Sequence, residues 1–392
     1  MHEVLVALKP ESPLRIGGVK VSASYLDTLT YLPGSALRGA LAEWLIRNGR
    51  QGQILPTVQK MRFGNLFPSP TEGVYALPFP LTALECKGKG GFFNVPRDRH
   101  EEKGHGIRDA LLISVTYQEL ERKGVTFPVP MALRCRACKG RMERVSGFYA
   151  RLPEGWVKAK PETAMQTKVA LSRHRRAAQE AMLYRVIAIR PQSYFVGRLW
   201  IESDADLDLL KEAVRTLGVG ALTTRGFGKA ELHEVPSSLP SVRERIQHFN
   251  EKLQEVWRQL ADLAKQVGFH APEKPEGIYF SVDLLSPAVL HDAQGIPTLR
   301  LQLNLNGQTL KPVFWATQPA LVGGWSTAWG LPKPTALGAA MGSVYVFRTE
   351  KSLDEIAPPL EALEAQGVGD RTDEGLGEIL VCHPFHLEVM AV

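Results

Sequence analysis

Apolar and polar residues alternate along the first half of the chain in a pattern that predicts strands and a helix. HEVLVAL near the N-terminus, LYRVIAIRP and SYFVGRLWIES alternate as half-buried strands do. Between the first two of these segments, PGSALRGALAEWLIRNG carries leucines and a tryptophan at helical spacing. We expect Ser35 to cap this helix and Gly49 to end it.

A glycine-rich motif occurs twice in the chain. Residues 217–232 read LGVGALTTRGFGKAEL, and residues 366–381 read QGVGDRTDEGLGEILV. Both contain Gly-Val-Gly, a threonine, and two further glycines separated by one apolar residue. Self-similarity at matching positions marks duplicated structural units. The sequence therefore predicts two copies of one domain.

A helix is expected before each glycine motif and a strand after it. DADLDLLKEAVRTLG has apolar residues at helical spacing, with Asp204 as the expected cap and Gly218 as the stop. SLDEIAPPLEALEAQG shows the same pattern with Ser352 as cap and Gly367 as stop. Its two adjacent prolines predict a kinked or broken helix. FGKAELHEV and LGEILVCHPF then alternate as strands.

The predicted order strand–helix–strand–strand–helix–strand is the ferredoxin-like pattern that RRM modules also use. The second copy is expected to open with GIYFSVDLLSPAVL and to contain a later strand at GSVYVFRT. We therefore predict an α+β fold with two ferredoxin-like (RRM-like) domains in tandem. They span residues 1–240 and 276–392, and a cysteine-bearing insertion occupies about residues 50–165 of the first.

Residues 241–268 between the two copies predict one long helix. Its apolar residues step by three and four, Ser241 and Glu244 form a capping-box pattern, and Gly268 ends it. The helix is interpreted as a brace packed across both domains, or alternatively as a coiled-coil arm that binds a partner.

Composition and charge are those of a globular protein. The chain has 392 residues, of which 44% are hydrophobic and 22% are charged, with a formal net charge of +6. No apolar run approaches the roughly 20 residues that span a bilayer, and the N-terminus does not resemble a secretory signal. We expect a cytoplasmic protein. Its basic residues concentrate in RCRACKGRMER at 134–144 and KVALSRHRR at 168–176, which fits nucleic-acid binding.

The cysteines indicate a metal site. Cys135-x-x-Cys138 with Cys86 upstream supplies three soft ligands for tetrahedral zinc. His105 is the expected fourth ligand, and His100 is the alternative. Structural zinc would help fold an insertion that has little core of its own, while free thiols and redox chemistry remain as other interpretations. The fourth cysteine, in the strand after the second glycine motif, is expected in the core.

The glycine motifs favour close approach to a polyanion, with backbone N–H groups free to donate. They lack the Gly-Lys-Ser/Thr ending of a nucleotide-binding loop and follow a helix instead of a strand. The first contains Arg225 and Lys229 and is expected to bind an RNA backbone. The second contains Asp370, Asp373 and Glu374 and is interpreted as architectural.

Paired ferredoxin-like domains that each close with such a glycine loop resemble the RAMP superfamily of CRISPR proteins. YLPGSALRGALAEWL resembles the family's Pro-Gly-Ser helix start, and FGNLFPS at 63–69 resembles the segment that often follows it. The cysteines, His105-Gly106, GFY at 147–149, the basic stretch followed by LY at 183–184, and the GVGDRTDEGLGEILV tail resemble one branch. That branch is the large Cas-five-like RAMP of type III-D complexes.

This resemblance implies an RNA-binding subunit that caps an effector complex at the repeat-derived 5′ tag of the crRNA. Its implied partners are the crRNA, the backbone RAMP subunits and the large polymerase-like subunit. The implied RNA contacts lie at the first helix start, in the basic segment and in the first glycine loop: Gly34, Ser35, Arg38, Lys168, Arg173, His174, Arg175, Arg176, Arg225, Gly226, Phe227, Gly228 and Lys229.

No set of residues in the sequence predicts catalysis. His174 is the one histidine in a basic segment where acid/base work on a 2′-hydroxyl is imaginable, and no second catalytic group accompanies it. His383 and His386 are expected to be structural. The alternatives are a metal-independent crRNA-processing endoribonuclease of the RAMP superfamily and an unrelated zinc-bearing RNA-binding or scaffold protein.

Overall fold

The fold is given by a computed structural model that describes residues 1–17, 25–95, 103–127, 133–171, 174–175, 177–237, 239–326 and 330–389. The helices are α1 Gly34–Arg47, α2 Ile54–Val58, α3 Leu111–Arg122, α4 Asp204–Leu217, α5 Val242–Gln266, α6 Leu353–Gln366 and α7 Pro384–Glu388. The strands are β1 His2–Pro10, β2 Tyr25–Leu26, β3 Met61–Ser69, β4 Leu77–Pro78, β5 Ala83–Cys86, β6 Arg108–Asp109, β7 Met142–Arg144, β8 Phe148–Leu152, β9 Gly155–Ala159, β10 Thr163–Leu171, β11 Ala178–Ile189, β12 Tyr194–Ile201, β13 Ala230–Val235, β14 Ile278–Leu284, β15 Leu290–His291, β16 Pro297–Thr298, β17 Leu303–Leu305, β18 Gln308–Leu310, β19 Phe314–Ala316, β20 Pro319–Val322, β21 Trp325–Ser326, β22 Leu331–Pro332, β23 Ala336–Ala339, β24 Val344–Thr349 and β25 Ile379–Val381. The predicted α+β class is confirmed.

The chain divides into two compact units. The first contains Met1–Leu77, Ala159–Ser238 and Asp373–Gly375, and the second contains Pro78–Lys158, Leu239–Thr372 and Leu376–Val392. This division differs from the predicted domain bounds, because most of the expected insertion in the first domain groups with the second unit. The physical reason is aromatic packing: Phe79 and Tyr149 from that segment contact Phe385 near the C-terminus, with ring centroids 5.7 and 5.1 Å from it.

The first unit is built on a four-stranded antiparallel sheet with the order β13-β1-β12-β3. The helices α1 and α4 supply apolar residues to one core with the alternate residues Val4, Val6 and Leu8 of β1. The structure differs from two predictions about the strands. β11 pairs with β10 and β2 in a separate sheet, and the fourth strand of the main sheet is β3. β3 is almost entirely buried and so lacks the alternation that reveals an exposed strand.

Two helix starts in the first unit also differ from the prediction. α1 begins at Gly34 after Pro33, and the side chain of Ser35 does not cap it. α4 is capped by Ser203 instead of Asp204, because the hydroxyl of Ser203 and the carboxylate of Asp206 form a capping box. The expected glycine stop at the end of α4 is confirmed.

The second unit has a four-stranded antiparallel sheet with the order β19-β24-β14-β25. It departs from the predicted element order, because residues 285–313 contain no helix between β14 and β19. α6 continues through both of its prolines, so the predicted break is wrong, while its Ser352 cap and Gly367 stop are confirmed.

The two glycine motifs adopt the same backbone geometry. In the first, the N–H of Val219 donates to the carbonyl of Gly228 at 2.8 Å, and in the second, Val368 donates to Gly377 at 2.9 Å. Gly218 and Gly367 end their helices with φ of 73° and 77°. These matched contacts support the prediction that one structural unit occurs twice.

α5 is confirmed as one long helix, and the Ser241–Glu244 capping box is present. It packs within the second unit on α3, α6 and β14, with Phe249, Leu253 and Trp257 fully buried. Among the described helices, none combines the length and the apolar character that crossing a bilayer requires.

A substitution of Asn65 in β3 tests the packing of the first unit. The Oδ1 of Asn65 accepts from the N–H of Gly34 at 3.0 Å, and its Nδ2 donates to the carbonyl of Gly375 at 2.9 Å. Asn65→Leu removes the hydrogen-bond partner of two buried backbone groups, the N–H of Gly34 and the carbonyl of Gly375. We therefore expect the free energy of unfolding to fall by about 1–3 kcal/mol in urea titrations. Exposed Asn94→Ala is the control, and an equal effect of both changes would contradict this account.

Candidate metal centre and nucleic-acid surface

Three segments of the second unit, which carry cysteine or histidine, meet at one point. The ligand atoms of Cys86, His105, Cys135 and Cys138 all lie within 4.8 Å of one another. The Sγ atoms of Cys86 and Cys138 are 3.5 Å apart, and the Sγ of Cys135 is 3.6 Å from the Nδ1 of His105. The cluster could therefore hold a metal ion, and it contains the same four residues that the sequence predicts.

The separations suit tetrahedral zinc. Typical Zn–S and Zn–N bonds place two sulfurs about 3.8 Å apart and a sulfur and a nitrogen about 3.6 Å apart. Burial opposes ionisation of Cys135, but hydrogen bonds from the backbone N–H groups of Cys138 and Ala137 outweigh it and lower the pKa of its thiol to about 6. A thiolate is the form that ligates metal. His100, the alternative ligand, lies outside the described residues.

Short strands and a tight turn position the ligands. Cys86 ends β5, which pairs with β7 so that Cys86 lies opposite Met142. Cys135 and Cys138 occupy a turn that Lys139 closes with a left-handed φ of 59°, where the N–H of Lys139 donates to the carbonyl of Cys135 at 2.8 Å. Cys382 lies elsewhere and is completely buried, as predicted for a core residue, and burial raises the pKa of its thiol.

Three backbone donors of the first glycine loop that we expected to be free are already bonded within the protein. The N–H groups of Ala221 and Gly228 donate to the carbonyls of Arg15 and Pro13, and the N–H of Lys229 donates to Ser12. These bonds close the loop onto the segment after β1. These three amides are therefore not available to a ligand.

The β10–β11 hairpin and the first glycine loop come together in the first unit. The Nζ of Lys168 lies over the Phe227 ring, 5.2 Å from its centroid, and the guanidinium of Arg225 donates to the hydroxyl of Tyr184 at 2.9 Å. The sequence indicated the basic residues, but it did not indicate Tyr184 as the link between them.

The opposite face of the hairpin is apolar and exposed. Met165, Val169 and Leu171 alternate with half-buried residues along β10, and Leu183 lies opposite Val169 on β11. Leu171 is 66% exposed and Leu183 is 58% exposed. His174 and Arg175 lie in the exposed connection, while Arg173 and Arg176 lie outside the described residues.

Of the other residues predicted to contact RNA, several already bind other groups of the protein. The N–H of Gly34 donates to Asn65, and the guanidinium of Arg38 pairs with Asp373 at 2.9 Å. Lys229 pairs with Glu11 at 2.7 Å but keeps 68% of its side chain exposed. Ser35, at the start of α1, is exposed. The RNA contacts of all these residues stay predictions.

A buried polar network in the second unit has no counterpart in the sequence prediction. The Nδ1 of His386 is 2.7 Å from Asp109, and its Nε2 is 2.8 Å from Asp283. Burial opposes the imidazolium, but the two carboxylates outweigh burial and raise the pKa of His386 to about 10. Burial lowers the pKa of neighbouring His383 to about 3. Both tail histidines are buried, as their predicted structural role requires.

The profile of the RAMP superfamily matches residues 7–231, and the chain belongs to this superfamily. None of the curated proteins matches the sequence.

Two solved structures that contain chains similar to this one are CRISPR assemblies. A chain of the type III-B Cmr-beta complex bound to cognate target RNA and AMPPnP is 13% identical, with a TM-score of 0.35, and the alignment covers 87% of this chain and 86% of that one. A chain of the Csm3–Csm4 subcomplex of a type III-A CRISPR–Cas interference complex is also 13% identical with a TM-score of 0.35, over 88% and 92% of the two chains.

Proposed function

We propose that this protein is a non-catalytic RNA-binding subunit of a type III, III-D-like CRISPR effector complex, acting in antiviral defence in the cytoplasm. It would cap the assembly at the repeat-derived 5′ tag of the crRNA. The observation that carries this proposal is the contact between the β10–β11 hairpin and the first glycine loop. That contact places Lys168, Phe227, Arg225 and Tyr184 together in the unit that contains most of the RAMP match.

The chemistry of this surface suits an unpaired RNA strand. Cationic side chains follow phosphates and contribute a salt-dependent attraction. On the opposite face of the same hairpin, the exposed apolar side chains Met165, Leu171 and Leu183 offer further contact area to unstacked bases. The proposed partners are the crRNA, the backbone RAMP subunits and the large polymerase-like subunit. We also interpret the two sheets as a tandem pair of ferredoxin-like RAMP domains.

Zinc is proposed as a structural ion held by Cys86, His105, Cys135 and Cys138. Four protein ligands leave no open position for substrate, which is the arrangement of structural zinc sites. The hydrophobic cluster beside it contains few residues, with Cys86, Cys135 and Met142 as its buried members. The ion would therefore provide much of the stabilisation that this small core lacks.

The absence of catalysis is part of the proposal. His174 is exposed in a turn and makes no hydrogen bond with another described residue. General acid–base catalysis needs a positioned group within hydrogen-bond reach of its proton partner. We expect the purified protein to leave repeat RNA intact without metal, and cleavage that disappears in His174→Ala would overturn this assignment.

Tagged protein purified from its native host tests the capping role directly. The RNA that co-purifies is sequenced, and the accompanying proteins are identified by mass spectrometry. Guides that share one repeat-derived 5′ tag, together with other RAMP subunits, are the expected result. Mixed cellular RNA, or no RNA, would contradict the proposed function.

Removing the hairpin–loop cations should weaken RNA binding. In Lys168→Gln/Arg225→Gln, we expect the slope of log affinity against log salt to fall by about 1.4, since each phosphate contact on a single strand contributes about 0.7. Fluorescence anisotropy with tag-containing RNA measures this slope. Lys211→Gln/Arg215→Gln on α4 removes the same charge and serves as the control. An unchanged slope in the hairpin–loop variant would remove these two residues from the binding surface.

A further inference from the structure

The cysteine cluster is surrounded by basic side chains that the proposed function does not use. All seven are exposed, and they define what we call the knuckle surface: Lys87, Lys89, Arg134, Arg136, Lys139, Arg141 and Arg144. None of them makes an ion pair or a side-chain hydrogen bond with another described residue. Exposed cations elsewhere, such as Arg47 and Arg215, do pair with neighbouring acids.

The backbone brings these cations together. The N–H of Lys87 donates to the carbonyl of Arg141 at 3.0 Å. The backbones of Arg134 and Arg141 pair in an isolated antiparallel β-bridge. The carbonyl of Lys89 accepts from the N–H of His105 at 3.1 Å. Because the ligand atoms lie within 4.8 Å of one another, a bound ion would hold both loops in place. The cations are therefore pre-arranged and not scattered on separate mobile segments.

The charge of the knuckle surface is strongly unbalanced. Residues 134–144 contain one acidic residue, Glu143. The carboxylate of Glu85 on the neighbouring strand is already paired with Lys158 at 2.8 Å. A zinc ion with three thiolates adds one net negative charge, which does not offset seven cations. Like charges held together raise the local potential and attract a polyanion.

An exposed aromatic ring lies beside the same site. Phe93 is 67% exposed, whereas adjacent Phe92 is buried against Phe79 and Trp156. The Cβ of Phe93 lies 3.8 Å from the position that a Cβ on Gly106 would occupy, next to the ligand His105. A phenyl ring open to water beside unpaired cations is the combination by which proteins hold single-stranded nucleic acids.

We propose that the knuckle surface binds single-stranded RNA, with its arginines and lysines on the phosphates and Phe93 stacked on a base. An acidic protein surface would satisfy the cations but would leave Phe93 without a matching partner. The site is separate in sequence from the hairpin and the glycine loop. It does not rest on the capping role, because these contacts recognise a single strand of any origin.

The test uses the full-length, zinc-loaded protein and a short fluorescein-labelled single-stranded RNA of mixed sequence. Lys168→Gln/Arg225→Gln serves as the starting background, so that the remaining binding reports on the knuckle surface. In Arg134→Gln/Arg136→Gln/Arg141→Gln, the salt slope measured by anisotropy should fall by about 2, from three contacts of about 0.7 each. Phe93→Ala should weaken binding roughly 5- to 150-fold with an unchanged slope, as loss of one stacked base predicts.

The matched control is Arg243→Gln/Arg258→Gln/Lys265→Gln, which removes three exposed cations from α5. Its affinity and slope should equal those of the background protein, and zinc content should be equal in all variants. Unchanged RNA binding in the knuckle variant would overturn the proposal. If that variant keeps its RNA affinity but loses an acidic partner protein on co-purification, the surface binds protein instead. If crRNAs with a shared 5′ tag do not co-purify with the protein, the proposed capping role is refuted, but RNA binding by the knuckle surface is not affected.

Discussion

Cys135→Ser is expected to abolish stoichiometric zinc binding and to make the second unit sensitive to protease within residues 86–150. Structural zinc contributes about 10–16 kcal/mol of apparent binding free energy in zinc-finger peptides, and this energy is coupled to folding. The ligands Cys86 and Cys135 are themselves members of the small apolar cluster at this site. Loss of the ion therefore removes both the ligand bonds and the constraint that closes the core.

Metal analysis of the purified protein, followed by limited proteolysis with mass spectrometry, measures both effects. Cys382→Ala is the matched control, because Cys382 is buried but lies outside the ligand set. It should retain one zinc per chain and remain resistant within residues 86–150. A metal-free Cys135→Ser protein with full protease resistance would show that this segment folds without an ion.

His386→Leu is expected to lower the free energy of unfolding by about 3–5 kcal/mol, because it leaves two buried carboxylates without their cation. Asp109 and Asp283 are 2% and 1% exposed, and water cannot replace the lost partner. Urea denaturation at neutral pH measures the change. Adding Asp109→Asn and Asp283→Asn to the same protein removes the unpaired charges, so this triple variant should recover part of the loss.

The same network predicts a pH dependence of stability. The pKa of His386 rises from 6.5 to about 10 on folding, so its contribution is complete below pH 6.5 and disappears as pH rises through 10. Burial raises the pKa of Asp283, but His386 outweighs it and holds that pKa below 3.8. The contribution of Asp283 is therefore present above pH 3.8 and declines in more acidic solution. A His386→Leu protein with the same alkaline loss of stability as the unmodified chain would show that another group causes it.

The cluster of candidate metal ligands was predictable because residue type and spacing along the chain indicate it. Cys135-x-x-Cys138 is local, few residue types bind zinc, and a histidine in the same insertion completes the set. The Ser241 and Ser352 caps and the glycine stops were likewise local, since each depends on residues within one helical turn.

Contacts between distant segments were not predictable in this way. Asp109, Asp283 and His386 come from three separate parts of the chain, and no local pattern relates them. β3 was mistaken for part of an insertion because burial on both faces removes the alternation by which a strand is recognised. The exposure of Phe93 depends on the fold of its loop, since its neighbour Phe92 has the same side chain and is buried.

The sequence alone determined the duplicated glycine motifs, the RAMP resemblance, the α+β class and the four candidate metal ligands, because each is encoded in residue type at short or repeated spacing. Only the tertiary structure decided that most of the cysteine-bearing segment packs with the second unit and that the amides of Ala221 and Gly228 in the first glycine loop are already bonded. It also decided that Lys168 reaches Phe227. These features depend on long-range packing, in which the free energy comes from surfaces that meet only after the chain has folded.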